Sequence, residues 1–338
     1  MKPETITKQI FKIIPALLLV LILGLGLLFT GCSIGDRQVY FASKSGGHTV
    51  FKIGRMACSR EEAKVYLANY KNLYGKIYDT DLWSEDYDTK TMEESIKDAV
   101  ISHLTKVYSL DMYAQTKEIE LSEEEKDKVT QAAETYYKSL NRTERKYTGA
   151  SKKDITKMYE HYALAEKVYK QLMSGVDENV SEDEARIMEA NVIYVTDETL
   201  AKDIATQLKN GASFDRLASS YSQADSIHVT FGRNTYETAV EDVVFQLDDG
   251  DISDMIQGKD GYYFFECVSK YNEELSEQNK VAIVSQRQEQ AMEDVISAIE
   301  TDYYSDFNQK LWDKITIDKN DKITTDSFFT TLDDKITF

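Results

Sequence analysis

Proline is almost absent from this sequence of 338 residues, since Pro3 and Pro15 are the only two. After Pro15 the chain has no X-Pro bond whose slow isomerisation limits its own folding. Histidine is also scarce, and the four side chains are scattered without the spacing of metal ligands. These histidines are His48, His103, His161 and His228. We therefore expect no metal site.

Basic residues are too few for a nucleic-acid partner. The chain has 40 Lys and Arg against 59 Asp and Glu, and its formal net charge is −19. Phosphate binding needs a basic surface, so this balance excludes DNA or RNA as the expected ligand. A G-x-S-x-G elbow is also missing, which argues against a serine hydrolase.

The three cysteines do not form a disulfide framework. Cys58 and Cys267 fall in different predicted domains, and a disulfide between them is left open. Cys32 follows a basic start, an apolar run over residues 13–29 and Thr30-Gly31.

This N-terminal pattern resembles a bacterial lipoprotein signal peptide. We expect residues 1–31 to be removed and Cys32 to carry a lipid, on the extracytoplasmic face of the cell membrane. Phe29 departs from the pattern, because leucine is usual three residues before the cysteine. An uncleaved membrane helix is the alternative, although 17 apolar residues lie at the short limit for spanning.

Helical signals dominate residues 49–185, which follow a polar tether at 32–48. After a strand at Thr49–Ile53, helices are predicted from serines followed three residues later by an acidic residue, which is the spacing of a capping box. These serines are Ser59, Ser122, Ser151 and Ser181.

The region from residue 273 to 338 is predicted to be a long helix with a tail. Apolar residues at helical spacing extend the helix from about Glu277 to Ile315, and we expect it to pack on residues 49–180. Residues Thr316–Ile323 contain a turn-forming segment, and we expect them to form a terminal hairpin.

Residues 186–272 show a different pattern. A β-prone run at Val192–Val195 precedes two helices capped by Asp197 and Ser213. A loop, a third short helix around Val240 and two final strands complete the order β-α-α-loop-α-β-β.

Three phrases in this region, LAKDIATQLKNGASFDRLASSYS, FQLDDGDIS and DGYYFFECV, resemble the parvulin family of peptidyl-prolyl isomerases. The flanking helices resemble the chaperone module of PrsA-type and SurA-type foldases. The predicted fold class is therefore α+β, with a mostly helical module formed by the N-terminal region and the long C-terminal helix. A parvulin-like β-α-α-α-β-β domain is inserted into that module.

The resemblance also implies site residues. Parvulins carry two strand histidines, whose positions fall at Val192 and Tyr263, and a Cys or Asp whose position falls at Ala224. Tyr263, Asp225 and Ser222 are the candidates to replace the missing catalytic groups. The positions that line the peptide groove are Phe231, Tyr236, Val240 and Phe245. Such an isomerase needs no metal or cofactor.

Two functions follow from the resemblance. The first is an envelope foldase that binds unfolded exported polypeptides through a domain lacking the usual histidines. The second is an active prolyl isomerase, in which Tyr263 and its neighbours retain weak catalysis. A lipoprotein that binds a small solute is a remote third, because the flanks lack alternating strands and helices. Formation of a homodimer through the helical module is left open.

Overall fold

The computed structural model describes residues 47–77, 89–303 and 305–338. The predicted signal peptide and Cys32 lie outside the described residues. Within the described ranges, no helix combines the length and the apolar character that a membrane span requires. The chain divides into two compact units, one drawn from Met1–Gly175 and Glu289–Phe338 and the other from Val176–Gln288.

The first unit begins with a short hairpin. Strands β1 (Thr49–Ile53) and β2 (Met56–Ser59) pair antiparallel. Gly54 at the turn has φ +57°, a left-handed conformation that glycine adopts without strain. The strand at Thr49–Ile53 was predicted, whereas β2 was missed because the capping signal at Ser59 dominated the pattern.

Helix α1 (Arg60–Ile77) starts at that cap, since Ser59 Oγ accepts a hydrogen bond from the Glu62 amide at 3.1 Å. The Glu62 side chain is buried and accepts from the Tyr108 hydroxyl at 2.7 Å. Burial raises the pKa of Glu62. The residue therefore belongs to the core as well as to the helix start.

Four further helices follow in this unit, and their starts agree with the predicted caps where one was predicted. They are α2 (Thr89–Thr116), α3 (Glu123–Ser139), α4 (Arg142–Thr148) and α5 (Lys152–Ser174). Complete capping boxes open α3 at Ser122 and α5 at Ser151. A third box at Asn141 opens α4, a helix that was not predicted.

The C-terminal region departs from the prediction in two places. Helix α10 (Glu273–Asp302) ends before the expected Ile315, and strand β7 (Ser305–Phe307) follows it. β7 pairs antiparallel with β1, with Phe51 opposite Phe307, so long-range pairing overrides the helical periodicity.

The terminal hairpin predicted at Thr316–Ile323 is wrong. After the short helix α11 (Gln309–Trp312), no strand or helix occurs before α12 (Phe328–Asp333) among the described residues. The main chain of this segment bonds instead to side chains far away in the sequence, such as Tyr147, whose hydroxyl donates to Thr316 O at 3.0 Å.

The second unit contains a four-stranded sheet. It comprises α6 (Glu182–Ala185), β3 (Met188–Val195), α7 (Glu198–Lys209), α8 (Phe214–Tyr221), β4 (His228–Phe231), α9 (Thr238–Val244), β5 (Ile256–Gln257) and β6 (Tyr262–Ser269). The strand order is β4-β3-β6-β5, and every neighbouring pair is antiparallel. The segment predicted as a loop between the second and third helices therefore contains strand β4. The architecture is α+β, as predicted.

Side chains alternate between the two faces of this sheet. On one face, Ile193, Val195 and Phe264 pack with residues of α7 and α8. On the other face, Val192 and Phe265 pack with Val240 and Val244 of α9. The candidate site lies on this second face. Cys267 is buried there, and both it and Cys58 are free thiols.

Candidate functional site

The two central strands bring a pair of tyrosines together. Tyr194 on β3 stands opposite Tyr263 on β6, and Val192 stands opposite Phe265. The Tyr194 and Tyr263 ring centroids are 4.8 Å apart. Val192 and Tyr263, the positions that the parvulin resemblance assigns to histidines, thus lie on the same face of the sheet.

Further aromatic rings lie beside this pair, on the face of the sheet that packs against α9. Tyr236 contacts Phe231 edge-on at a centroid distance of 5.1 Å and Phe265 at 5.3 Å. Its ring lies 6.0 Å from that of Tyr263. We call this set of residues the aromatic face: Tyr194, Phe231, Tyr236, Phe245, Tyr263 and Phe265.

The four residues predicted to bind peptide do come together, but they differ in exposure. Phe231, Val240 and Phe245 are buried at 4%, 0% and 3% exposure, whereas Tyr236 is half-buried. Three of the four therefore form the floor of the aromatic face. Tyr236, together with the predicted catalytic residue Tyr263, offers the partly exposed surface of this face.

Two glycines in the turn between β5 and β6 allow the tyrosine pair to pack. A Cβ built on Gly258 would lie 2.8 Å from Tyr263 Cε2, and one built on Gly261 would lie 2.5 Å from Tyr194 Cε2. Both separations are closer than ordinary van der Waals contact. The role of these two glycines in the packing of the rings was not predicted from the sequence.

The Tyr263 hydroxyl is a proton donor at neutral pH. Burial raises the pKa of Tyr263, and the nearby Tyr194, Glu237 and Asp260 raise it further. The neighbouring Tyr194 hydroxyl is already engaged, since it donates to Asp260 O at 2.8 Å. Tyr194 and Glu237 were not predicted as site residues, although Tyr194 follows Val192 by two positions and alternation places both on one face.

Ser222 is held by main-chain groups. Its Oγ accepts from the amides of Tyr194 at 3.2 Å and Ala224 at 3.3 Å. It also lies 3.3 Å from Val192 O, to which the hydroxyl donates. This arrangement ties the end of α8 to the middle of β3. A structural role accounts for all three contacts.

Asp225 lies in the exposed turn after α8. Among the hydrogen bonds of the described residues, none joins Asp225 to Tyr263 or to Ser222. The structure therefore groups Tyr263 with the aromatic face and leaves Asp225 at its margin in solvent. Their catalytic roles stay predictions.

His228 lies on the opposite face of the sheet from Tyr263. It opens β4 opposite Asn191, and its Nδ1 is 3.3 Å from Asn191 Oδ1. Asn191 in turn donates to Glu266 Oε2 at 2.9 Å. His228 is exposed, as expected, but it belongs to a strand and not to a loop. Because it lies on the other face, His228 cannot replace a histidine on the aromatic face.

A pair of arginines borders Phe245. The guanidinium carbons of Arg233 and Arg186 lie 4.0 Å and 4.8 Å from the ring centroid. Asp183 accepts from both arginines, at 2.7 Å from Arg233 and 2.9 Å from Arg186. These charges pair with one another, and this end of the aromatic face is closed by ion pairs.

Parts of this chain are similar to known proteins. Residues 194–269 match the family described as "Rotamase: PPIC-type PPIASE domain". The chain is also 29% identical over 164 residues to the foldase protein PrsA 2 of Bacillus anthracis. That match covers 46% of this chain and 56% of the relative, so it spans little more than half of the relative's length.

Similarity to solved structures is also found, at low identity. A crystal structure of the peptidylprolyl isomerase PrsA from Bacillus cereus covers 74% of this chain and 94% of its own, at 19% identity and a TM-score of 0.37. A SurA-like chaperone of Campylobacter jejuni covers 78% of this chain and 99% of its own, at 11% identity and a TM-score of 0.26. The predicted resemblance to PrsA-type parvulin foldases is confirmed.

Proposed function

We propose that this chain is an extracytoplasmic foldase that binds unfolded exported polypeptides. Its parvulin-like domain, which we assign to residues 186–272, acts mainly as a binding surface. The observation that carries the proposal is the match of residues 194–269 to a PPIC-type domain, together with the foldase to which the chain is similar. Residues 49–185 and 273–338 form the helical chaperone module of this proposal.

The chemistry of the aromatic face supports binding. Tyr236 and Tyr263 offer partly exposed rings above a floor of buried apolar side chains. Aromatic rings give apolar contact that tolerates many sequences, as a protein with varied clients requires. The net charge of −19 keeps such a surface soluble without favouring nucleic acid.

The same face offers few polar groups for catalysis. Rotation about an X-Pro bond has a barrier near ~20 kcal/mol, and an isomerase must favour the twisted amide with well-placed polar groups. Val192, at a position that the family resemblance assigns to histidine, is 2% exposed and part of the apolar core. A shared fold does not by itself preserve activity.

A second candidate function, prolyl isomerisation, is favoured by one observation. The phenol of Tyr263 packs against the apolar floor and, like any tyrosine, carries its proton at neutral pH, so it is a hydrogen-bond donor there. A donor there would favour the twisted amide. In this alternative, Asp225 and Ser222 are the other catalytic residues, as the sequence predicts.

Location is part of the proposal. We infer that Cys32 is lipidated after removal of residues 1–31 and holds the protein at the outer side of the cell membrane. Intact-mass analysis of the membrane-extracted protein tests this. A mass that includes residues 1–31 would favour the uncleaved membrane helix.

The test of function pairs two assays on the chain that begins at Ser33. The first measures isomerisation of a fluorogenic X-Pro peptide, with Tyr263→Phe and Asp225→Ala as variants. The second measures aggregation of an unfolded client protein. We expect suppressed aggregation without acceleration of isomerisation. Acceleration that is lost in both variants would support the isomerase function. Failure to suppress aggregation would contradict the proposed foldase function.

A further inference from the structure

A carboxylate that is held in place by main-chain contacts lies at the rim of the aromatic face. Glu237 directly precedes α9 and is exposed. Its side chain makes no capping hydrogen bond to that helix. Glu237 Oε1 instead accepts from the Lys259 amide, in the turn between β5 and β6, at 2.6 Å. The position of this carboxylate is therefore fixed by a different element of the domain.

The second carboxylate oxygen of Glu237 is available to a ligand. Among the residues that the structure describes, no hydrogen bond or ion pair reaches Glu237 Oε2. An ionised carboxylate can accept at both of its oxygens. A side chain that is already ordered also loses little conformational entropy when it binds a partner. Glu237 thus has the properties of a preorganised group for binding a cation.

The Tyr263 ring lies beside this carboxylate. A Cβ built on Gly258 would meet Glu237 Oε1 and also, at 2.8 Å, Tyr263 Cε2. Tyr194 packs on Tyr263, and both rings are partly exposed. The face of a tyrosine ring attracts lysine and arginine side chains. The carboxylate and the rings together therefore suit one cationic side chain.

Asp260, in the same turn, adds a second negative charge. It is exposed, and its carbonyl oxygen accepts from the Tyr194 hydroxyl at 2.8 Å, which fixes the turn beside the rings. Burial and Tyr194 raise the pKa of Tyr263 most, and Glu237 and Asp260 raise it further. Both carboxylates thus make the potential at the Tyr263 ring more negative, which favours a positively charged ligand.

Two kinds of basic group lie near this face, and neither pairs with Glu237. Lys259 is exposed, and within the described part of the chain its Nζ forms no ion pair with that carboxylate. The two arginines beside Phe245 are engaged by Asp183 and by the ring. Over Val176–Gln288, acidic residues outnumber basic ones by more than two to one. The charge balance of this unit therefore favours cationic over anionic ligands.

The spacing of the exposed rings sets where the cation lies in a bound segment. The ring centroids of Tyr236 and Tyr263 are 6.0 Å apart. In an extended chain, residues i and i+2 point to the same side and are about 6.5–7 Å apart. An apolar side chain that packs on Tyr236 therefore places the side chain two positions away beside Tyr263 and Glu237.

We propose that Glu237 and the tyrosine rings beside it select unfolded segments in which a lysine or arginine lies two positions from an apolar residue. The cation contacts Glu237 Oε2 and the face of Tyr263, and the apolar side chain packs on Tyr236. This inference rests on the proposed foldase function and names the class of client segment that the aromatic face binds.

The test compares three fluorescein-labelled peptides of alanine and serine that carry three phenylalanines. They differ only at the position two residues after the central phenylalanine, which is lysine, glutamine or glutamate. Fluorescence anisotropy gives their affinities for the full chain purified in detergent. We expect the lysine peptide to bind about fivefold more tightly than the glutamine peptide, and the glutamate peptide to bind most weakly. High salt should reduce the advantage of lysine, because it screens exposed charges.

Glu237→Gln tests whether this residue is responsible. The amide oxygen of glutamine can still accept from the Lys259 amide, so the turn should keep its structure. We expect the lysine advantage to fall below about twofold, with affinity for the glutamine peptide unchanged. Asp242→Asn removes the same charge from an exposed position of α9 and should keep the advantage. Equal losses in both variants would assign the preference to net charge alone and overturn the role of Glu237.

A measurement on the unsubstituted chain locates the cation without any variant. The lysine peptide is labelled with carbon-13 at the lysine Cε, and its methylene proton signal is followed by nuclear magnetic resonance. We expect this signal to move upfield on binding, because the ring currents of Tyr194 and Tyr263 shield nuclei above the ring faces. Binding without an upfield shift would place the cation away from the rings and contradict the proposal.

The outcomes distinguish this inference from the proposed function. Equal affinity for the lysine and glutamine peptides would overturn the preference for cations, whereas the binding itself would still support the foldase. If no peptide binds while aggregation of an unfolded client is still suppressed, clients bind elsewhere and the proposed site is wrong. If aggregation is not suppressed either, the foldase function is contradicted together with the inference.

Discussion

The two units of this protein use aromatic residues in opposite ways. In the helical unit, Tyr66, Tyr159 and Phe328 are completely buried. In the sheet unit, Tyr194, Tyr236 and Tyr263 remain partly exposed. An abundance of tyrosine is therefore not in itself a binding signal, because the same residue type forms a core in one unit and a surface in the other.

Two buried tyrosine hydroxyls of the helical unit have partners in the protein, whereas the buried hydroxyl of Tyr66 has none among the described residues. The buried hydroxyl of Tyr159 donates to Phe328 O at 2.6 Å, and that of Tyr108 donates to Glu62 at 2.7 Å. Burial without a partner would be costly for these groups. The rings of Tyr236 and Tyr263 keep contact with solvent, so their hydroxyls need no fixed partner in the protein. Such hydroxyls are free to bind a ligand.

The largest expected effect is the loss of stability when a buried aromatic residue of the helical unit is truncated. Phe328→Ala removes a completely buried ring stacked on Tyr159, and we expect a loss of about 3–5 kcal/mol in the free energy of unfolding. Urea unfolding followed by circular dichroism measures it. Tyr236→Ala is the comparison in the sheet unit, with an expected loss of about 1–2 kcal/mol and weaker client binding. If both variants lost the same free energy of unfolding and Tyr236→Ala still bound the client, the proposed difference between the units would be wrong.

The next effect concerns pH. Burial, with Asp333 nearby, raises the pKa of Glu166 to about 8, and burial raises that of Asp333 to about 6. The folded state thus binds these protons more tightly than the unfolded chain. Their stabilisation is complete below the unfolded pKa of about 4 and is lost as pH rises through the folded values. We expect the free energy of unfolding to fall by about 2 kcal/mol between pH 6 and pH 8.

Glu166→Gln should remove most of this pH dependence, and Glu160→Gln should not. Glu160 is exposed on the same helix and provides a matched control. Urea unfolding at several pH values gives the slope for each variant. A slope unchanged by Glu166→Gln would show that the carboxyl pair does not bind the protons assigned to it.

A smaller effect tests Ser222 as a structural residue. Ser222→Ala leaves the amides of Tyr194 and Ala224 without an acceptor, and we expect a loss of about 1–2 kcal/mol. Ser220→Ala, at an exposed position of α8, is the control. Client binding measured under folded conditions should stay unchanged in both. Loss of isomerase activity in a fully stable Ser222→Ala protein would instead support its predicted catalytic role.

The smallest effects are expected at the exposed edge of the aromatic face. Asp225→Ala and Tyr263→Phe should each change the free energy of unfolding by less than about 0.5 kcal/mol, because neither removes a hydrogen bond seen in the structure. Thermal unfolding measures this. A large loss for Tyr263→Phe would indicate a structural role for its hydroxyl and weaken both functional readings.

The candidate site was only partly predictable. The family resemblance identified Tyr263 as well as Phe231, Tyr236, Val240 and Phe245. Their exposure was not predictable, because burial depends on how α9 lies across the sheet. Tyr194 was missed for a different reason, since only the pairing of β3 with β6 brings it opposite Tyr263.

Local signals in the sequence determined most helix starts and the order of elements in the sheet unit. Capping at Ser122, Ser151 and Asp197 acts within three residues, so it is readable without knowledge of the fold. Tertiary structure alone decided the end of α10 and the path of the tail. The partners of these segments lie far away along the chain: β7 pairs with β1, and Phe328 bonds to Asn69. No local pattern encodes a hydrogen bond between residues so far apart.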